Sequence, residues 1–277
     1  MPLALLATLA LVQGVTEFLP ISSSAHLVLT RAAWTALGLA APAPDPAAEL
    51  ALDVALHVGT LFAVMLYFRR DVAELIVGGV DLLRRRRSAA AHLAWLVLVA
   101  TIPAILAGAL AKGFITTHLR GVEVIGWTTL VFGVLLGVAD RRPARRATRD
   151  LGWRGAVFVG AAQALALVPG VSRSGVAMTA ARWIGLDRTE AARFALLLAL
   201  PTIAGAGLLA GLDLRDAAIG PGVARDAAIG AGLAFVAAYI AIWAMMRWLR
   251  SASFRPFVLY RIVLGVALLG LAYSGVQ

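Results

Sequence analysis

Six stretches of this chain, at about 51–68, 93–111, 122–139, 191–212, 227–246 and 257–275, are apolar almost throughout. Each approaches the ~20 residues a helix needs to cross a ~30 Å hydrocarbon core. Lipid offers no hydrogen bonds, so an isolated span can satisfy its own backbone groups only as a helix. The fold class that follows is an all-α integral membrane protein. Composition agrees: 61% of the residues are hydrophobic and 14% charged, where a soluble domain is nearer one half and one quarter. The spans recur from end to end of the 277 residues, which leaves no room for a separate soluble domain and gives one membrane domain, 1–277. Met1–Val12 has neither a positive leading segment nor a small-residue cleavage site after it, and is not read as a cleaved signal peptide. The chain has no cysteine, which excludes disulfides and thiolate metal sites.

Two further regions are apolar but broken by a polar, turn-forming centre. Region 3–39 is interrupted at Pro20-Ile21-Ser22-Ser23-Ser24, and region 155–186 at Pro169-Gly170-Val171-Ser172-Arg173-Ser174-Gly175. Their halves are too short to span, so both read as re-entrant helix–loop–helix hairpins. Backbone of that kind is tolerated at membrane depth only where it is buried in protein or lines a wet cavity. The two breaks also match at a constant offset of 150 residues: Gln13 falls on Gln163, Ser22 on Ser172, Ser24 on Ser174 and Ala25 on Gly175. Three spans follow each break. The chain therefore reads as a hairpin plus three helices written twice, about 1–139 and 150–277. Three is odd, so the second copy enters the membrane inverted, an arrangement that places a site at the midplane between repeats.

Net charge is +10 and the isoelectric point about 11.3, a balance that would suit a nucleic-acid partner. The arginines argue otherwise. They gather in short segments between spans: Arg69, Arg70 and Arg84 to Arg87 in loop 69–92, six arginines in 140–154, and Arg247, Arg250 and Arg255 in 247–256. The alternate segments, 112–121 and 213–226, are poorer. This is the pattern that orients a membrane protein, with the rich side cytoplasmic and both termini outside. A membrane, and no nucleic acid, is the expected partner.

The chemistry gathers at the breaks. Glu17 lies in an apolar helix, four residues after Gln13 and on the same face. A carboxylate at membrane depth is costly and by default marks function; the bland alternative is a structural residue near a wet surface. Gln13 either orients Glu17 or packs between helices. Ser22, Ser23 and Ser24 stand where a half-helix starts. Serine is a good N-cap, and the same N-terminus offers free N–H groups and a positive dipole end to an anion. His26 follows one turn later. Arg173 needs an anionic partner, either Glu17 alone or phosphate oxygens, which its planar fork grips in pairs. Ser172, Ser174 and Gly175 surround it with hydroxyls and open backbone. Two such N-termini converging on one axis make a pocket suited to diphosphate. Asp53 and His57 are read as a pair beside the site. Glu123, Asp140, Asp187 and Glu190 are read as interfacial charges, and Trp127, Trp183, Trp243 and Trp248 as belt or packing residues. No metal-ligand spacing is present, so no metal site is expected from the side chains.

The run Gln13-Gly14-Val15-Thr16-Glu17-Phe18-Leu19-Pro20-Ile21-Ser22-Ser23-Ser24-Ala25-His26-Leu27 resembles the first signature of the undecaprenyl-diphosphate phosphatase (bacitracin-resistance) family. Pro169 to Gly175 resembles its second, and Leu52–Thr60, Glu190–Gly207 and Phe254–Gly265 are similar as well. The resemblance implies dephosphorylation of undecaprenyl diphosphate, which recycles a lipid carrier for cell-wall synthesis. It also implies a bacterial cytoplasmic membrane location and a site open toward the outer face. Ala25 departs from the glycine common at that position; a positive φ there would strain it. His57 falls where the family varies, which lowers its claim to catalysis.

On this reading the polyprenyl diphosphate is the lipid substrate. Attack on the terminal phosphorus is covalent or water-mediated, with Ser23 as the nucleophile and Glu17 the base that activates it. Arg173 and the half-helix N–H groups hold the phosphoryl oxygens, and His26 orients the serine or protonates the leaving phosphate. Gln13, Ser22, Ser24, Ser172, Ser174 and Gly175 complete the substrate site. Spacing alone does not choose among the three serines. A divalent cation such as Mg2+ or Ca2+ would have to take most of its ligands from diphosphate and water. A homodimer is among the assemblies open to the chain. A secondary transporter or lipid flippase is the alternative, because inverted repeats around an anion site are a transporter design too.

Overall fold

The computed structural model describes residues 2–39, 45–119, 121–215 and 220–274. Among them the chain forms α-helices joined by short turns, with no strand. The first broken region is α1 (Leu3–Thr16) and α2 (Ser23–Ala36); α3 (Pro46–Tyr67), α4 (Arg69–Leu83), α5 (Ala89–His118) and α6 (Val122–Asp140) follow. The second broken region is α7 (Trp153–Ala164) and α8 (Arg173–Trp183), followed by α9 (Arg188–Asp213), α10 (Pro221–Leu249) and α11 (Arg255–Tyr273). Six helices, α3, α5, α6, α9, α10 and α11, are long and apolar enough to cross a membrane.

Local chemistry accounts for several ends. Asp45 caps α3 by accepting from the Ala47 N–H at 3.2 Å, with Pro46 at the first helical position. Asp187 caps α9 by accepting from the Glu190 N–H at 2.8 Å. Short polar side chains satisfy orphan N–H groups at a helix start, and proline there loses no bond the helix needs. The helices at the breaks are short. With 14, 14, 12 and 11 residues, they reach about 16–21 Å at 1.5 Å per residue, less than a bilayer core.

Small residues let the long helices approach closely. α3 packs on α10 where Gly59 faces the Ala231 carbonyl; a Cβ added to Gly59 would lie 2.2 Å from that oxygen. α5 packs on α7 where Gly160 faces the Ala100 carbonyl, again at 2.2 Å from a built Cβ. Between apolar helices in lipid, such contact is a main source of association. Large apolar side chains such as Leu110, Leu208 and Val263 point outward instead, as a lipid-facing surface requires.

One expectation needs correcting. Segment 69–92 is not simply a loop: α4 fills most of it, laid against α5 through Gly78, with Asp71 ion-paired to Arg193 of α9. The hairpin helices also differ from each other. α8 is buried from Ser174 to Arg182 between α6, α7 and α9, whereas α2 buries only Ala25 and Leu27.

Candidate active site

Glu17 ends α1, and its side chain is the centre of the polar contacts there. It is 7% exposed. Oε2 accepts from Ser23 Oγ at 2.6 Å and from Gln13 Nε2 at 2.9 Å; Oε1 accepts from Arg173 Nη2 at 2.7 Å. His57 Nε2 lies 3.8 Å from Oε2. Gln13 therefore orients the carboxylate, as its spacing on one helical face suggests. The buried carboxylate faces a cation, which offsets much of the cost of holding charge away from water.

The two breaks share one backbone geometry. Ser22 has φ 76° and ψ 95°, and Ser172 has φ 70° and ψ 112°. Positive φ is uncommon outside glycine, and each such residue costs about 1–3 kcal/mol that the surroundings must offset. In each break the flanking serines stand 3.3 Å apart: Ser22 Oγ from Ser24 Oγ, and Ser172 Oγ from Ser174 Oγ. What lies between them differs. The first break presents Ser23 and the second presents Arg173, and both reach Glu17. Gly170 turns the second break with φ +89°, where a built Cβ would stand 2.1 Å from Thr128 Oγ1.

The capping differs as well. Ser172 Oγ accepts from the Gly175 N–H at 3.1 Å, and Ser174 Oγ donates to the Leu19 carbonyl at 3.0 Å, which ties the second break to the first. Ser22 makes no side-chain cap bond. The N–H groups of Ser23, Ser24 and Ala25 consequently have no acceptor among the described residues, and they point from a helix N-terminus beside Glu17 and Arg173. Such a terminus binds anions by geometry and dipole together. Ser23 is half-buried and Ser24 exposed, so this cradle is open.

A family profile described as Bacitracin resistance protein BacA matches residues 6–267. The chain belongs to the bacitracin resistance protein family. It is 49% identical to undecaprenyl-diphosphatase 1 of Rhodospirillum rubrum, over 98% of this chain and 95% of that protein. It is 46% identical to the undecaprenyl-diphosphatase of Teredinibacter turnerae, over 97% of this chain and 98% of that one. Against the undecaprenyl-diphosphatase of a Jannaschia species it is 48% identical, over 99% and 100%.

Several expectations change for this member of the bacitracin resistance family. His26 does not touch Ser23. Its Nδ1 meets the Ser22 carbonyl at 2.6 Å and its Nε2 meets the Tyr260 hydroxyl, with the two rings stacked. A carbonyl only accepts, so Nδ1 carries the proton, and a neutral ring then accepts from Tyr260 through Nε2. Ala25 is buried in α2, and the positive φ falls on Ser22 instead, so the missing glycine strains nothing. Asp53 and His57 do not pair through their side chains. Asp53 bonds Arg31 at 2.5 Å, while His57 Nδ1 meets the Asp53 carbonyl and its other face turns to Glu17. Asp140 is not an interfacial charge either: it is buried, 2.6 Å from Arg188 Nε, and accepts from the Phe254 N–H. Gln163, the match of Gln13, has Leu167 where a carboxylate would stand, and neither of its amide atoms has a hydrogen-bond partner among the described residues.

Arg261 is the residue that sequence reading missed. It lies on α11 and is 0% exposed. Its guanidinium donates to Pro20 O of the first break at 3.2 Å, to Gly170 O and Val171 O of the second at 2.9 and 3.0 Å, and to Thr129 O of α6 at 3.2 Å. Five N–H groups in a planar fork suit a set of converging carbonyls. The signs in the sequence were one cation within an apolar span, a position that demands an interior partner, and its place in the family-like stretch Phe254–Gly265. Thr202 of α9 was missed too; it accepts from Arg173 Nη1 at 3.3 Å.

Proposed function

We propose that the Glu17 site is where this chain, a membrane phosphatase of the bacitracin resistance family, hydrolyses undecaprenyl diphosphate to undecaprenyl phosphate and inorganic phosphate. That reaction recycles the lipid carrier for cell-wall synthesis. One observation carries the reading: a buried carboxylate holds a serine hydroxyl at 2.6 Å on one oxygen and an arginine at 2.7 Å on the other. A nucleophile, its base and an oxyanion partner meet there beside an open helix N-terminus.

The mechanism follows from these contacts. Ser23 Oγ attacks the terminal phosphorus while its proton passes to Glu17 Oε2. The bond to the bridging oxygen breaks, and undecaprenyl phosphate leaves. Arg173 and the N–H groups of Ser23, Ser24 and Ala25 hold the phosphoryl oxygens as charge spreads over them. Glu17 gives up its proton to solvent, then takes one from a water that attacks the phosphoserine phosphorus. The bond from Ser23 Oγ to phosphorus breaks, Glu17 returns the proton to Ser23 Oγ, and phosphate is released. Ser172 and Ser174, with Gly175 between them and Arg261, hold the second break in shape. His26 holds the Ser22 carbonyl, and so the serine run, from behind. A divalent cation such as Mg2+ or Ca2+ would have to take most of its ligands from the diphosphate and water. The donors do not fit a resident metal: Glu17 is the one carboxylate in the cradle, and no group of three metal-ligating side chains exists among the described residues.

The architecture we infer is two inverted repeats, each a re-entrant hairpin plus three spans, in the bacterial cytoplasmic membrane with the site open toward the outer face. The shared φ and ψ of Ser22 and Ser172 at the 150-residue offset support it, as does the loose packing of α2. A transporter or flippase is not favoured by the named relatives. The test is phosphate release by the purified protein from a short and a long polyprenyl diphosphate, comparing wild type with Arg173→Lys. The lysine keeps the charge but loses the planar fork, and a fall of about a hundredfold or more is expected. Near-normal release by a folded Arg173→Lys protein would remove Arg173 from the phosphate site. No release by the wild type would remove the phosphatase reading itself.

A further inference from the structure

A second polar cavity lies among arginines, away from the serines. Along α8, Arg182 lies nine residues beyond Arg173, about 14 Å at 1.5 Å per residue. Along α6, Thr129, which accepts from Arg261, lies about 17 Å from Asp140 on the same scale. Where the two helices end there is a cavity of about 560 Å³, lined among others by Arg141, Arg142, Arg182, Arg188, Arg250 and Leu249.

Its walls are built and its charge is unbalanced. Buried Arg182 ties the end of α6 to the turn after α8 by donating to the carbonyls of Asp140, Arg142 and Leu186. Both acids in the lining are engaged: Asp140 with Arg188 and the Phe254 N–H, and Asp187 with the first turn of α9. Arg142 stands over the Trp183 ring, 4.4 Å from its centroid. Arg141 and Arg250 are exposed and have no carboxylate partner among the described residues. Two open guanidinium forks beside a stacked third suit a phosphate group. Exposed Trp183 and Trp248 adjoin the lining residues Arg182 and Leu249 in the chain, and indole rings gather at the membrane–water boundary.

We infer that this cavity binds the phosphate of an anionic phospholipid headgroup from the leaflet on the arginine-rich side. A basic pocket between spanning helices is the recurring form of such a site. Free phosphate shares the headgroup's chemistry, but the place of the cavity at the ends of apolar spanning helices and the exposed tryptophans beside it favour the lipid.

Native mass spectrometry of the detergent-purified protein with equal amounts of phosphatidylglycerol and phosphatidylcholine tests this. Wild type should retain phosphatidylglycerol preferentially. Arg141→Gln/Arg250→Gln should lower that preference about thirty-fold, the effect of two surface arginines on an anionic headgroup. Arg86→Gln/Arg87→Gln, which removes the same charge elsewhere, should leave it intact. Equal retention of the two lipids by wild type, or equal loss in both double variants, overturns the site. Displacement of phosphatidylglycerol by millimolar inorganic phosphate overturns the lipid and assigns the pocket to the free anion. Phosphate release from a short-chain diphosphate in lipid-free detergent should be unchanged in Arg141→Gln/Arg250→Gln; its loss would join the pocket to the catalytic route and overturn a separate site.

Discussion

Both oxygens of Glu17 are occupied, and that arrangement decides how its neighbours behave when altered. Ser23 and Gln13 share Oε2 while Arg173 holds Oε1. Ser23→Ala removes the nucleophile and Glu17→Gln removes the base. Each should lower phosphate release by about a thousandfold or more, and the double variant should be little worse, because residues acting as one unit are not additive. Ser22→Ala and Ser24→Ala should be milder, since backbone N–H groups of the same helix start can replace their contacts. A normal rate for Ser23→Ala with a dead Ser22→Ala or Ser24→Ala would move the attack to another hydroxyl. If all three alanine variants stay active, a water activated by Glu17 is the nucleophile.

Elements matter through what ties them together. α1, α2, α7 and α8 are each too short to hold their place by spanning. α1 is held on α10, α7 on α5 and α8 on α6 and α9, while the breaks themselves take their hydrogen bonds from α6 and α11. Arg261 supplies most of them, donating to carbonyls of both breaks and of α6. Arg261→Met keeps the length but removes the guanidinium and its hydrogen bonds to the carbonyls of both breaks. It should cost about 3 kcal/mol or more, hydrogen bonds from a charged group being worth about 1.5–3 kcal/mol each. Thermal unfolding in detergent should show the loss, and turnover should fall with it. Arg261→Lys should be intermediate, because an ammonium lacks the fork that reaches both breaks at once. An unchanged melting temperature for Arg261→Met would show that α6 and α11 hold the breaks without it.

For the whole molecule, the uneven spread of arginine sets an expected orientation. The chain has no native cysteine, so single cysteines report position cleanly. Cysteines at Arg86 and Arg145 should be shielded from an impermeant thiol reagent in intact cells, whereas one at Gly222, which has open space around it, should label. The opposite pattern would invert the molecule and turn the serines toward the cytoplasm. The same orientation places the Arg141–Arg250 pocket in the inner leaflet.

Much of this was written in the order of residues. Hydrophobic length makes the six spans, because an apolar run of that length in lipid has one way to satisfy its backbone. The paired interruptions and their 150-residue match are local too, and they brought Glu17, Ser23 and Arg173 together as candidates before any contact was known. Other features depend on pairs far apart in the chain. The partner of His26 is Tyr260, that of Asp140 is Arg188, and the two breaks meet through Arg261. An arginine alone in an apolar span announces only that it needs acceptors. Which carbonyls those are was decided by α6 and α11 packing against the breaks, and α4, with its mixed faces, found its place only against α5. Period and length are properties of a segment, so sequence determines them; the acceptors of a buried cation are properties of the packed helices, and only tertiary structure sets them.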